Sequence, residues 1–182
     1  AVISKQNNDI INTFALKAID FTFRNLGTVF NDIQNPVARQ FISTASVMSG
    51  IAFSGTYLSI SLGIALAMAS RCTIDVESAM SVIAPHIMEF NLTTAPGKYV
   101  QMSKVMGEDV RDVTVIEAAI KSVEAIRKLS ADVSVPQRLS NYSIEKNEFK
   151  GLASLALTFP FLENAPRPLS RDEIETILIA AY

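Results

Sequence analysis

Apolar positions recur every three or four residues along nearly the whole chain, the spacing of one face of an α-helix. Residues 8–29 place Ile10, Ile11, Phe14, Ala15, Ala18, Ile19, Phe21, Phe23 and Leu26 on such a face, with Lys17, Asp20 and Arg24 outside it. Asn35 before Pro36 is a start signal, because Asn accepts from free N–H groups and Pro at the first helical position loses no hydrogen bond. It predicts a helix to about Phe53 or Ser54, and after a break near Gly55 a second one to about Arg71. Asp75 caps a further helix that reaches His86-Ile87-Met88-Glu89-Phe90, and Pro96-Gly97 opens a short one that Gly107 stops. Residues 110–130 repeat the pattern through Val115, Ala118, Ala119, Ile120, Val123, Ile126 and Leu129. Ser143, with Glu145 and Glu148 behind it, opens a helix to about Leu157. Ser170-Arg171-Asp172-Glu173 fits a capping box ahead of the last helix. The linkers fall at 31–35, 91–96, 131–137 and the Pro-rich 159–168. No alternating run is long enough for a strand, and no fixed-period repeat is present. These elements predict an all-α fold, a multi-helix bundle of about seven to nine helices.

One stretch reads two ways. From Gln40 to Ser70 no residue is charged, and 57–69 is strongly apolar. A membrane span takes roughly 20 mainly apolar residues, but Ser43, Thr44, Ser46, Ser49, Ser54, Thr56, Ser59 and Ser61 interrupt this one. Its small residues suit two helices passing close together, so a fully buried central helix pair is the favoured reading and no membrane partner is expected.

The 182 residues suit a single domain, 1–182, large enough to bury a core. A hydrophobic share of 49% beside 19% charged residues is globular, not disordered. The net charge of -2 and scattered Lys and Arg exclude the basic patch that nucleic acid requires. A single cysteine, Cys72, rules out an internal disulfide and suits a reducing compartment, so a cytoplasmic location is expected. The chain opens Ala1-Val2-Ile3-Ser4, without Met and without a signal-peptide pattern, as a processed or excised piece would.

Candidate chemistry is sparse. A transition-metal site draws several His, Cys, Asp or Glu side chains to one point. His86 and Cys72 are the only imidazole and thiol. Arg71 beside Cys72 would lower the thiol pKa if the two approach, though a buried inert thiol is the commoner outcome. His86, behind Pro85 on an apolar helix, reads as structural. There is no Gly-x-Ser-x-Gly elbow, no P-loop and no Gly-x-Gly-x-x-Gly. Glu117, Glu124 and Asp172-Glu173-Glu175 fall on exposed helix faces and read as solvated charge rather than acid–base pairs.

The run Gly50-Ile51-Ala52-Phe53-Ser54, followed by Pro85-His86-Ile87-Met88-Glu89-Phe90-Asn91 and Gly97-Lys98-Tyr99, resembles the helical C-terminal domain of iron-containing alcohol dehydrogenases, a dehydroquinate synthase-like bundle. Asp9, Ala15-Leu16-Lys17-Ala18-Ile19, Ala38-Arg39 and Ala45-Ser46 fit the same order upstream. So do Val135-Pro136, Leu152-Ala153, Ala156-Leu157, Asn164-Ala165-Pro166-Arg167-Pro168 and the ending Ala180-Ala181-Tyr182 downstream. The resemblance implies a two-domain NAD(P)-dependent enzyme that uses iron or zinc, its metal ligands on the helical domain and its dinucleotide on an N-terminal α/β domain with no counterpart in this chain. An Asp and a His ligand of the family would lie just upstream of Ala1. The resemblance places two further histidine ligands at Leu62 and Val76 and an additional active-site histidine at Leu66. The family's Pro-His-Gly is Asp75-Val76-Glu77 here, and Phe53 matches a substrate-pocket aromatic.

Aliphatic side chains offer a metal no lone pair. The expectation is therefore a metal-free, non-catalytic structural or interaction domain with no cofactor of its own, the three aliphatic positions absorbed into the core. Its partner would be a nucleotide-binding domain or a second copy. The alternative is the helical half of an NAD(P)-dependent alcohol or aldehyde oxidoreductase whose other half is missing or on another chain.

Overall fold

Asn8 begins the first helix: its side chain accepts the Ile11 N–H at 3.1 Å, and α1 runs Asp9–Asn31. A computed structural model describes residues 1–57 and 59–182 of the chain; Leu58, part of the predicted 55–71 helix, lies outside the described residues. Asn35 caps α2, Pro36–Thr56, by accepting from Ala38 N at 3.0 Å. A short connection makes α1 and α2 an antiparallel hairpin. Ala38, Ala45 and Ala52, seven residues apart, form the buried seam of α2. At Gly55 a Cβ would sit 2.2 Å from Ile11 Cδ1, so glycine there leaves room for the Ile11 side chain of α1. Tyr57, in the left-handed region at φ 46°, ends α2.

The central element is α3, Ile60–Ala69, where Ile64, Ala65, Ala67 and Met68 are all 0% exposed. It packs on α4, Val76–Asn91, capped by Asp75, and on α7, Phe149–Ala156. A buried cluster joins these to α8, Arg171–Ala180, through Val82, Leu152, Ile174 and Leu178. The predicted Ser170–Glu173 capping box is formed at the head of α8. A second cluster joins α1 to α5, Pro96–Val105, and α6, Val115–Asp132, around Tyr99, Ala119 and Val123. Gly107, at φ 92°, turns the chain after α5. The described residues thus form eight α-helices and short 3-10 turns, with no strand, within the predicted range.

The expected buried pair is half correct. While α3 is core, α2 packs mainly on α1, leaving Val37 62%, Val47 65% and Ile51 41% exposed. From Gln40 to its end α2 carries no charge because Ser, Thr, Gly and Ala, which water tolerates, occupy much of it, not because it is buried. No single helix among the described residues is long and apolar enough to cross a membrane; α2 and α3 meet that criterion only as a pair bent by 98°. Two boundaries also moved. The predicted 110–130 helix starts at Val115, behind a Thr114–Glu117 capping box. The helix predicted from Ser143 begins instead as a 3-10 turn, Lys146–Glu148, with a box between Glu145 and Glu148.

Candidate functional site

The Ser59 hydroxyl accepts the Leu62 N–H at 3.1 Å and so fixes the first turn of α3. Leu62 and Leu66, four residues apart, then share one face of α3. At about 100° per residue that face lies roughly opposite the one that Ile60, Ile64 and Met68 turn into the core. Val76 is the first residue of α4, whose N-cap Asp75 accepts from Ser78 N at 2.7 Å. The three residues do not share one space: Leu62 lines a cavity, whereas Val76 packs against the central core cluster.

All three are half-buried. The expectation that these positions had been absorbed into the core is corrected, because the core side of α3 is taken by Ile60, Ile64 and Met68. Val76 only flanks the core, and Leu62 lines a cavity of about 790 Å³. The cavity opens between α1 and α2 on one side and α4, α5 and α6 on the other. Phe53 lines it too, half-buried, its ring 6.2 Å from Tyr57 and 6.1 Å from Phe161.

The titratable groups are held elsewhere. His86 Nδ1 stands 3.7 Å from Glu89 Oε2, and Arg127 holds the same carboxylate at 2.8 Å. Burial lowers the imidazole pKa, and the Arg127 charge lowers it further against the opposing pull of Glu89, so His86 is neutral near pH 7. Burial raises the Cys72 thiol, as does the Glu148 carboxylate 3.8 Å away; both outweigh Arg71, the neighbour expected to activate it. The Thr114 hydroxyl and N–H, donating to Glu117, hold its carboxyl below the usual range, and Ser170 does the same for Glu173. Glu124 and Asp172 are exposed as expected, whereas Glu173 and Glu175 are half-buried. Among the described residues no three His, Cys, Asp or Glu side chains are grouped to hold a metal. The side chains at Leu62, Leu66 and Val76 do not fit one.

The sequence reading missed the methionine wall of the cavity, Met80, Met88, Met102 and Met106. A faint signal exists in the spacing, two helical turns between the first pair and one between the second, but nothing local says that α4 and α5 turn these residues to one space.

The described residues form an all-α domain of eight helices around two buried clusters, with an apolar cleft beside α3. The chain matches the family described as Fe-containing alcohol dehydrogenase, C-terminal, over residues 1–182, and belongs to it. It is 29% identical to 1,3-propanediol dehydrogenase from Klebsiella pneumoniae over 182 residues, covering 100% of this chain and 47% of that protein. Sulfoacetaldehyde reductase from Bilophila wadsworthia is 28% identical over 176 residues, 95% of this chain and 46% of that protein. A crystal structure of 1,3-propanediol oxidoreductase superimposes with a TM-score of 0.97 at 29% identity, over 99% of this chain and 47% of the other. An alcohol dehydrogenase from Oenococcus oeni gives 0.96 at 23% identity, over 100% and 47%. The chain therefore spans about half the length of the curated relatives it matches.

Proposed function

We propose that this chain is a metal-free helical module of the iron-containing alcohol dehydrogenase family that works as a structural or interaction domain. One observation carries the reading: aliphatic residues stand at Leu62, Leu66 and Val76, the three positions where the resemblance puts histidines. A hydrocarbon side chain cannot coordinate iron or zinc, so these substitutions remove metal ligands instead of retuning them. On this reading the chain holds neither metal nor nucleotide, and its partner is a nucleotide-binding domain or a second copy. Elemental analysis of the purified protein, after exposure to Fe(II) or Zn(II) and gel filtration, tests it. Substoichiometric metal is expected, and one tightly held equivalent of either metal overturns the reading.

A second reading is favoured by the 47% coverage of the relatives. In it the chain is the helical half of an NAD(P)-dependent oxidoreductase for small alcohols or aldehydes, the class named by its relatives. Hydride transfer to 1,3-propanediol's aldehyde or to sulfoacetaldehyde, followed by NAD(P)H absorbance with the full reading frame, separates the two. Metal-dependent turnover supports the second reading alone.

A further inference from the structure

The outward face of the α1–α2 hairpin is apolar where the solvent side of a helix is ordinarily polar. Val37, Phe41, Val47 and Ile51 are all exposed and follow one another along α2. At about 100° per residue this strip lies roughly opposite the side that Ile42, Ser49 and Phe53 turn to the cavity, so it is not part of the cleft. Phe41 packs edge-on against Phe21 of α1, ring centroids 4.9 Å apart, and Lys17 Nζ stands 4.4 Å over the Phe21 ring. Beyond it Asp20 pairs with Lys17 at 2.7 Å and with Arg24. An apolar centre bordered by charge is the anatomy of a protein–protein interface.

The order of residues in the strip says what covers it. Thr44 stands at its centre: three positions to either side are Phe41 and Val47, and seven positions to either side are Val37 and Ile51. A pattern that reads alike in both directions is what an antiparallel contact about a two-fold axis needs, because there residue i meets j and j meets i. A different partner imposes no such centre. At the axis the Thr44 hydroxyl already donates to Gln40 O at 2.9 Å, so covering it strands no donor. From Gln40 to its end α2 carries no charge, so the contact buries none from that stretch. Two helices about 30 Å long and about 10 Å apart present a face of roughly 600 Å². A standard interface takes about 800 Å² from each partner, so the hairpin supplies most of a modest one.

We propose that this face binds a second copy of the chain, the two α2 helices antiparallel with Thr44 at the two-fold axis, Val37 against Ile51 and Phe41 against Val47 across it. Such a contact rests on the interaction-domain reading and names its partner and surface. It uses neither the cleft nor the positions where the resemblance puts metal ligands.

Sedimentation equilibrium of the purified chain tests it, since mass is read independently of the elemental analysis that decides the metal-free reading. A monomer–dimer equilibrium with a Kd of about 1–100 μM is expected from a face of this size. Val37→Glu and Ile51→Lys each set a charge in the contact and weaken association at least about tenfold. Both positions are exposed in the single chain, and circular dichroism confirms folding; Val47→Glu with Phe41→Lys is the substitute pair if either variant does not fold. An equimolar mixture of the Val37→Glu and Ile51→Lys chains recovers the dimer, because the antiparallel register brings the new carboxylate to the new amine. Ile116→Lys, exposed on α6 away from the hairpin, leaves the parent Kd unchanged. A chain that stays monomeric to about 1 mM leaves the strip to a different partner and overturns the proposal. So do parent-like dimers of both charge variants, a mixture no tighter than its components, or a dimer lost in Ile116→Lys alone.

Discussion

Two truncations on one helix separate a core position from a cleft position. Ile64→Ala and Leu62→Ala both fall on α3, and each exchanges a larger side chain for alanine, so the helix-propensity change is small and similar, a few tenths of a kcal/mol. Ile64 is 0% exposed within the central cluster. Removing three buried carbon groups at about 0.8 kcal/mol each, with a further term for the void, gives a loss of about 3–4 kcal/mol. Leu62 is half-buried beside an open cavity, so about half of the transfer term applies and no closed void forms. Its loss should be about 1 kcal/mol. Urea unfolding followed by circular dichroism measures both. With a slope of about 2 kcal/mol per molar, the midpoint falls by about 1.5 M for Ile64→Ala and about 0.5 M for Leu62→Ala. Equal shifts, or a larger one for Leu62→Ala, would show that Leu62 belongs to the core and refute its placement on the cleft wall.

Two glycines form an internal control: Gly63→Ala sets a Cβ 2.3 Å from Leu162 Cδ1, whereas Gly50→Ala meets nothing within 4 Å. Thermal melts should show Gly50→Ala stabilising by up to about 1 kcal/mol through helix propensity and Gly63→Ala destabilising by about 1–2 kcal/mol through overpacking. Ser103, fully buried on α5, hydrogen-bonds Ala118 O of α6 at 2.6 Å and Tyr99 O at 3.1 Å. Ser103→Ala should cost about 1–2 kcal/mol in urea unfolding, and an unchanged midpoint would remove this tie between α5 and α6. Because the folded-state pKa of His86 lies below its ordinary 6.5, the unfolded chain binds the extra proton as pH falls. The imidazole's contribution is full above 6.5 and is lost as pH drops through the folded value. His86→Gln should therefore lose less stability than the parent between about pH 7 and about pH 5, and parallel curves would contradict the shift.

Local signals were legible and assembly was not. Asn35-Pro36, Asp75 and Ser170–Glu173 carry their meaning in two to four adjacent residues, and each sits at the helix start it indicates. Thr114–Glu117 belongs to the same class of signal, but the apolar spacing from residue 110 onward obscured it. The burial of α2 was misjudged because its charge-free stretch from Gln40 onward, rich in small residues, reads alike whether it is covered on every side or on one. The cavity left little signature beyond the methionine spacing, since its wall is drawn from six helices and the N-terminal segment, most of whose lining residues are far apart in sequence. For Leu62, Leu66 and Val76 the resemblance supplied the positions, whereas their half-burial depends on which face of α3 the rest of the fold covers.

That half-burial bears on why the three residues are aliphatic. A fully buried leucine contributes about 1.5–3 kcal/mol, and a half-exposed one correspondingly less, so packing alone is a weak reason for hydrocarbon at all three positions. Serine or glutamine would be tolerated at a half-exposed site, as Ser59, Ser61 and Ser78 are tolerated on the same elements or at their caps. For Leu62 an apolar cleft wall is the stronger reason, whereas Val76 packs against the central cluster. Leu62 stands where the resemblance assigns a metal ligand, and it also lines the space that Phe53, the methionines and Tyr99 share. The substitution that takes away a ligand therefore also takes a polar group off that wall, and these are two consequences of one side chain. If so, Leu62→His alone should create no tight metal site, because a single imidazole supplies only one of the several ligands that iron or zinc requires. Elemental analysis of the variant after exposure to Fe(II) or Zn(II) checks this, and one tightly held equivalent of either metal would refute it.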